Sequence, residues 1–212
     1  MQYNLSFIRK SVLQSSDTNN DKLVNDILDV SKIESGKMEI IPVDYDFPSM
    51  VNDIVNMVNI RAAAKDLKFE VEVDENIPSK LNGDDVRIRQ VLTNVLTNAV
   101  KYTNEGNVWL RINCKKKANE VRIYFEVEDT GIGIKEEDMD KLFKNFQRIE
   151  EKRNRNIEGT GLGMSISMHL LEMMGSRINV ESTYGEGSLF YFTIEQGIVD
   201  DTPIGDFVKN IE

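Results

Sequence analysis

Thr93-Asn-Val-Leu-Thr-Asn-Ala-Val-Lys-Tyr102 reads as a helix that is buried on most sides and polar on one. Asn94, Asn98 and Lys101 fall at i, i+4 and i+7, so they share a face. Val91, Leu92, Val95, Leu96, Ala99 and Val100 cover most of the rest. Two carboxamides and an ammonium on an otherwise apolar helix cost free energy unless something polar meets them. An Asn oxygen suits a hard cation, and a Lys ammonium suits phosphate. The stripe points to a magnesium–nucleotide site. A helix whose solvent face happens to carry Asn and Lys accounts for it equally well.

Working outward, Asp84 is placed to cap the start of this helix. Upstream, a helix is expected to begin after Pro48, with Ser49 as its cap, and to run to Lys65. Lys68 to Val73 alternates as a half-buried strand, and Asn76 to Gly83 reads as a loop. Residues 1 to about 38 read as helical. Leu23, Ile27 and Val30 form one apolar stripe, with Val24, Leu28 and Ser31 beside it, and Gly36 is the expected stop. Met38 to Phe47 reads as a strand and entry loop.

Downstream, Asn104-Glu-Gly106 is a turn and Val108, Leu110 and Ile112 alternate as a strand. Lys115 to Asn119 reads as a solvated hairpin turn. Val121, Ile123, Phe125 and Val127 share a parity that Asp129 continues, which places a carboxylate at the inner end of a buried strand. Glu136 to Phe146 reads as a short helix and Ile149 to Gly159 as a mobile surface loop. Met164 to Met174 is a helix, followed by strands at Ile178 to Ser182 and Ser188 to Ile194. Helices interleaved with antiparallel hairpins imply an α+β fold, a two-layer sandwich with helices on one face of a mixed sheet.

The chain has 212 residues, 40% of them hydrophobic and 29% charged, with a net charge of −10. That is room for one substantial core. An acidic chain of this kind argues against nucleic acid as a partner, but not against a polyanion held in a locally positive pocket. Cys114 has no cysteine to pair with, which suggests a reducing compartment. No apolar run approaches the ~20 residues of a membrane span. A cytoplasmic protein is expected, or the cytoplasmic portion of a membrane-anchored one. His169 is the sole histidine and there is no Cys/His cluster, which makes a zinc site a poor reading.

Two glycine motifs follow the polar helix along the chain. In Asp129-Thr-Gly-Ile-Gly133, glycines directly after a buried Asp let backbone approach a ligand, and the carboxylate can accept from an exocyclic amine such as adenine N6. An Asp-Gly turn ending a strand is the plainer reading. Gly159-Thr-Gly-Leu-Gly163 opens a helix, whose N–H groups favour an anion such as phosphate. It is neither a Walker loop nor a dinucleotide fingerprint, and alone it is weak.

Taken in order, these blocks resemble the catalytic domain of sensor histidine kinases in the GHKL ATPase superfamily. The N box is Gln90-Val-Leu-Thr-Asn94-Val-Leu-Thr-Asn98-Ala-Val-Lys101-Tyr102-Thr103. The G1 box is Asp129-Thr-Gly131-Ile-Gly133-Ile134, the F box Leu142-Phe143-Lys-Asn-Phe146, and the G2 box Gly159-Thr-Gly161-Leu-Gly163-Met164. Gly185-Glu-Gly187-Ser188-Leu-Phe190 matches the closing block. Leu28-Asp-Val-Ser-Lys-Ile-Glu-Ser-Gly36-Lys resembles the end of the second helix of the dimerisation and phosphoacceptor hairpin.

The resemblance implies a Bergerat-type sandwich preceded by a single helix, with ATP and Mg2+ as cofactors. It implies Asn98 as main magnesium ligand with Asn94 assisting, Lys101 at phosphate, and Tyr102 near adenine or ribose. Asp129 would read adenine N6, with Gly131 and Gly133 shaping the pocket. Gly159, Thr160, Gly161, Leu162 and Gly163 would form the phosphate-facing hinge of a lid, and Arg148 would reach the phosphates. Arg153 and Arg155 would be solvated lid charges. GHKL hydrolases typically carry a water-activating Glu where this chain has Asn94. That favours phosphoryl transfer to a protein over hydrolysis.

The family's phosphoacceptor is a histidine in a His-Glu or His-Asp motif, and no such motif occurs here. His169 is expected to be structural. Residues 1–38 are expected to be part of the hairpin, its second helix only, with 39–196 the ATP-binding domain and 197–212 a frayed end or a linker to a receiver domain. The implied partners are the acceptor helix of the same or a sister protomer, a response regulator receiver domain, and a second copy of the parent protein in a homodimer. A non-catalytic nucleotide-binding module is the alternative. An anti-sigma-factor-like Ser/Thr kinase of the same superfamily is a third reading, disfavoured because such kinases lack the hairpin.

Overall fold

The computed structural model describes residues 17–143 and 160–207, with side chains from Leu23 onward. The chain divides into two compact units.

The first unit spans 1–39 and 140–166. Its main described element is helix α1, Asp17–Glu34. Leu23 and Val30 are buried, whereas Val24 and Leu28 are exposed, so of the two expected apolar stripes the one through Leu23 and Val30 faces inward. Gly36 stops the helix as expected. It takes φ +66, the Lys37 N–H reaches the Lys32 carbonyl and the Gly36 N–H reaches that of Ile33. This paired closure needs a left-handed residue, which glycine supplies without strain.

The second unit, 40–139 and 167–212, carries the sheet. Its strands are β1 (Val43–Asp46), β2 (Lys68–Val73), β3 (Pro78–Gly83), β4 (Asn107–Lys117), β5 (Glu120–Asp129), β6 (Asn179–Thr183) and β7 (Gly187–Pro203). The spatial order is β1-β3-β7-β5-β4-β2, with β6 also paired to β7. The β2–β4 pair is parallel and the others are antiparallel, so the sheet is mixed. Helices α2 (Phe47–Ala63) and α3 (Asp85–Tyr102) pack on each other and on the sheet. A short helix α4 (Glu136–Met139) follows β5, and α5 (Gly163–Met173) begins in the first unit and continues into the second. This is the expected α+β sandwich preceded by a helix.

The core follows the period of each element. On β5, Val121, Ile123, Phe125 and Val127 are at most 1% exposed, and their cross-strand partners Phe192 and Ile194 on β7 are equally covered. The Phe125 and Phe192 rings stack with centroids 5.0 Å apart, an arrangement that adds to the burial of their area. On α3 the buried set is Ile88, Val91, Leu92, Val95, Leu96, Ala99 and Val100, which leaves one strip outside.

Four expectations need correction. Residues 78–83 are not a loop but β3, an inner strand between β1 and β7. Pro-Ser-Lys-Leu-Asn-Gly has little intrinsic strand preference, and its partners are remote in sequence. Helix α2 begins before Pro48, not after it. Asp46 is its cap, accepting the Ser49 N–H at 2.9 Å, and Pro48 is tolerated because a first-turn N–H has no helical partner. Residues 197–203 are not a frayed end, since β7 continues through Gly197 to Pro203 and pairs there with β3. Finally, α4 is one turn, with Asp140 to Phe143 in turn conformation. A single turn fixes several dihedrals for few hydrogen bonds, and the acidic run Glu136-Glu-Asp138 supports only a helix start.

Candidate functional site

Helix α3 is aimed by both of its ends. At its start, Asp84 Oδ1 accepts the Arg87 N–H at 3.1 Å and Oδ2 accepts the Ile41 N–H at 2.8 Å, so the expected cap also ties down the entry to β1. At its finish, the Thr103 N–H and hydroxyl both donate to the Ala99 carbonyl, at 3.1 and 2.8 Å. Between these ends the strip left outside the core is the one carrying Asn94, Asn98 and Lys101, all half-buried. The Asn94 amide donates to Ser167 Oγ at 3.0 Å. Ser167 on α5 is 1% exposed. This contact fixes the Asn94 amide against α5. The Lys101 ammonium stands 4.7 Å from the centroid of the Tyr102 ring, a cation–π distance.

The end of β5 meets the end of α3. The Ile132 N–H donates to the Tyr102 carbonyl at 3.2 Å, and the Thr130 N–H donates to the Asn107 carbonyl at 3.1 Å. Gly131 sits in the angle between them. A Cβ there would lie 2.6 Å from the Tyr102 carbonyl oxygen and 2.7 Å from Asp129 Oδ1, so no larger residue fits without displacing backbone. Gly133 takes φ +63, and a Cβ on it would strike the Thr183 carbonyl. The loop is further held by the Gly185 N–H on the Ile132 carbonyl and the Ile134 N–H on Ser182 Oγ, each at 2.8 Å. Gly187, at φ +129, lets the β6–β7 turn pass against the Asp129 carbonyl.

Asp129 is 6% exposed. Its Oδ1 accepts the Gly131 N–H at 2.8 Å. Burial pushes its carboxyl up to about 6, against the lowering effect of the Gly131 and Ser188 N–H groups. A buried carboxylate held this way is a hydrogen-bond acceptor in a low-dielectric setting, well suited to an amine donor.

The structure thus joins Tyr102, Asp129 and Gly131 where α3 meets the end of β5; Gly133 lies in the same loop and Asn94, Asn98 and Lys101 lie along α3, all in the second unit. Thr160, Gly161, Leu162 and Gly163 belong to the first. There Thr160 Oγ1 donates to Asp26 Oδ2 at 2.8 Å and accepts the Leu162 N–H at 3.2 Å. Gly161 takes φ +72 and Leu162 is fully buried. Arg148, Gly159, Phe146 and the 149–159 loop lie outside the described residues. His169 is half-buried on α5. Ser167 was missed by sequence reasoning. Its signal was a serine among apolar residues of a helix, which any buried polar group satisfies. Lys65 was missed as well, and it carried no signal at all.

The residues fit a magnesium–nucleotide. Neutral amide oxygens are hard donors, and magnesium keeps several waters and needs only one or two protein oxygens. Among the described residues no cluster of three or more His, Cys, Asp or Glu could hold a metal, and a site of this kind requires none. No described helix is long and apolar enough to cross a membrane.

Residues 83–198 match the family model described as histidine kinase-, DNA gyrase B-, and HSP90-like ATPase. The chain is 44% identical over 181 residues to hybrid signal transduction histidine kinase B of Dictyostelium discoideum, covering 85% of this chain and 9% of that one. It is 36% identical over 193 residues to the peroxide stress-activated histidine kinase mak2 of Schizosaccharomyces pombe, covering 87% of this chain and 8% of that one. The chain therefore spans under a tenth of the length of these two relatives. In fold it is similar to the crystal structure of full-length ShkA in complex with AMPPNP, with a TM-score of 0.71 and 27% identity, covering 84% of this chain and 36% of that one.

Proposed function

Because the chain belongs to the histidine kinase-, DNA gyrase B- and HSP90-like ATPase family, we propose that it is the ATP-binding kinase module of a two-component sensor. It would pass the γ-phosphoryl group of ATP to a histidine outside these 212 residues, for relay to a response regulator receiver domain. The observation that carries this reading is the junction of α3 with the Asp129–Gly133 loop. It sets a buried carboxylate acceptor beside a glycine cradle, at the end of a helix that carries Asn94, Asn98 and Lys101 along one half-buried face.

In this reading Asp129 accepts the adenine amine, Gly131 admits the base against backbone, and Tyr102 packs on base or ribose. Asn98 supplies the main magnesium oxygen. Asn94 assists, its amide nitrogen engaged by Ser167. Lys101 faces phosphate. Gly159, Thr160, Gly161, Leu162 and Gly163 serve the phosphates, as does Arg148. Bound as magnesium–ATP, the nucleotide supplies the transferable phosphoryl group with its oxygen charge partly neutralised. Asn94 cannot act as a carboxylate base toward water, so positioning a protein acceptor is the task left to the chain. The AMPPNP held by the ShkA structure supports the nucleotide assignment. The parent protein would be a homodimer acting in the cytoplasm, with the acceptor helix in the same or the sister protomer.

Calorimetric titration with MgATP tests the site. Asn98→Ala is expected to weaken binding by at least about tenfold, which is about 1.4 kcal/mol. Asp129→Asn should reduce the preference for ATP over GTP. Unchanged binding in both variants would remove the assignment. Adding a separate fragment that carries an acceptor helix, with γ-labelled ATP, tests the transfer. Absence of label on any such partner would count against a kinase.

A further inference from the structure

The C-terminal end of α3 is closed by a residue that the site assignment does not use. Lys65 lies just past α2, where the chain turns through Asp66 at φ +55. Its ammonium donates to the carbonyl oxygens of Val100 at 2.8 Å, Lys101 at 3.1 Å and Thr103 at 2.6 Å. An ammonium has three N–H donors and no acceptor, so this site uses all that it has. The acceptors are the carbonyls that a helix end leaves unpaired, and a positive charge there also suits the helix dipole.

Two of these carbonyls flank Tyr102. The one between them, of Tyr102 itself, accepts the Ile132 N–H. The same oxygen marks the wall of the Gly131 cradle. The backbone from Val100 to Thr103 is thus clamped by two partners, Lys65 and the loop that carries Asp129. Lys65 is held in turn, because the turn after α2 leads directly into β2, where the Lys68 N–H donates to the Gly106 carbonyl at 3.1 Å.

We propose that Lys65 is a positioning residue for nucleobase recognition: it fixes the Lys101–Thr103 backbone against the Asp129–Gly133 loop and so sets the Tyr102 ring relative to the Asp129 carboxylate. This rests on the reading of that junction as an adenine pocket. A carboxylate accepts from the adenine amine and is repelled by the oxygen that guanine carries at the same place. Base preference therefore depends on how well the carboxylate is placed, whereas phosphate contacts do not. Loosening the clamp costs preference before it costs general affinity.

The test is calorimetric titration of this chain with MgATP and with MgGTP, in the wild type, Lys65→Met and Lys65→Gln, each held well below its own melting transition. In Lys65→Met, ATP affinity is expected to fall about tenfold while GTP affinity stays within about twofold, so the preference collapses. Equal weakening of both nucleotides, or no change in either, would overturn the proposal, because a merely structural lysine does not touch the ratio. Should the methionine variant not fold, the glutamine variant, which keeps a donor but cannot reach three carbonyls, is held to the same criterion. A wild-type chain that does not prefer ATP would sink the adenine pocket itself, and the role of Lys65 with it.

Discussion

The two ends of α3 are secured by different means. At the N-terminal end Asp84 accepts the N–H of Arg87, three residues away, in the ordinary manner of a helix cap. At the C-terminal end Lys65 reaches carbonyls 35 to 38 residues further along the chain. The first device is local: an Asp before an apolar-periodic run suffices to recognise it. The second exists only once α2 has packed on α3. The two ends also differ in what they serve. The N-terminal cap ties the helix to β1, remote from the Asn and Lys strip. The C-terminal clamp lies at the junction where the proposed adenine pocket forms.

Substitutions can break this contrast in graded fashion. The largest effect is expected at Gly131. Gly131→Ala drives a Cβ into the Tyr102 carbonyl and the Asp129 carboxylate, and should cost about 3 kcal/mol and most of the nucleotide affinity. Chemical denaturation and titration on one sample check both. Lys65→Met comes next. It leaves three carbonyls without their charged donor and should cost about 2–3 kcal/mol. Asp84→Ala removes the local cap and the Ile41 contact, for about 1–2 kcal/mol, yet it should leave the ATP-to-GTP ratio unchanged. If both variants shift the ratio alike, the two ends are not functionally distinct.

The smallest effect is one of the opposite sign. Asp129 is raised by burial to about 6 in the folded chain. The folded state therefore holds its proton more tightly than the unfolded one. Its contribution is most favourable below about pH 4 and is lost as pH rises through about 6. The shift corresponds to about 3 kcal/mol above that window, of which Asp129→Asn should recover about 1–2 kcal/mol at pH 8 and none below pH 4. Thermal melts at the two pH values decide this. Greater stability with poorer base selection in the same variant is the signature of a group kept for function.

Much of the architecture was legible in residue order. The parity of Val121 to Asp129 placed Asp129 at the inner end of β5, and the helical period placed Asn94, Asn98 and Lys101 on one strip. Both patterns survive in the structure because burial enforces periodicity over many residues at once. Gly36 and Asp84 act where their side chains or backbone freedom act on neighbours. Strand β3 was not legible, since Pro78 to Gly83 becomes a strand only by lying between β1 and β7. The same holds for the continuation of β7 past Gln196, where Gly197 and Ile198 find their partners in Asn82 and Leu81.

The candidate site divides in the same way. Its side chains were named from sequence, where the polar stripe and the glycine motifs raised a nucleotide site and the resemblance of the ordered blocks to a family gave each residue its expected role. What holds them was not. Ser167 against Asn94, Lys65 against the end of α3, and the Ile132 N–H on Tyr102 join residues distant in the chain, and no local pattern encodes such pairs. Sequence by itself determined the strongly periodic elements and which side chains can do chemistry, since both depend on short-range period and intrinsic functional groups. Only the tertiary structure decided which of those groups meet, and at what distance, because hydrogen bonds between remote segments exist only after the core has brought them together.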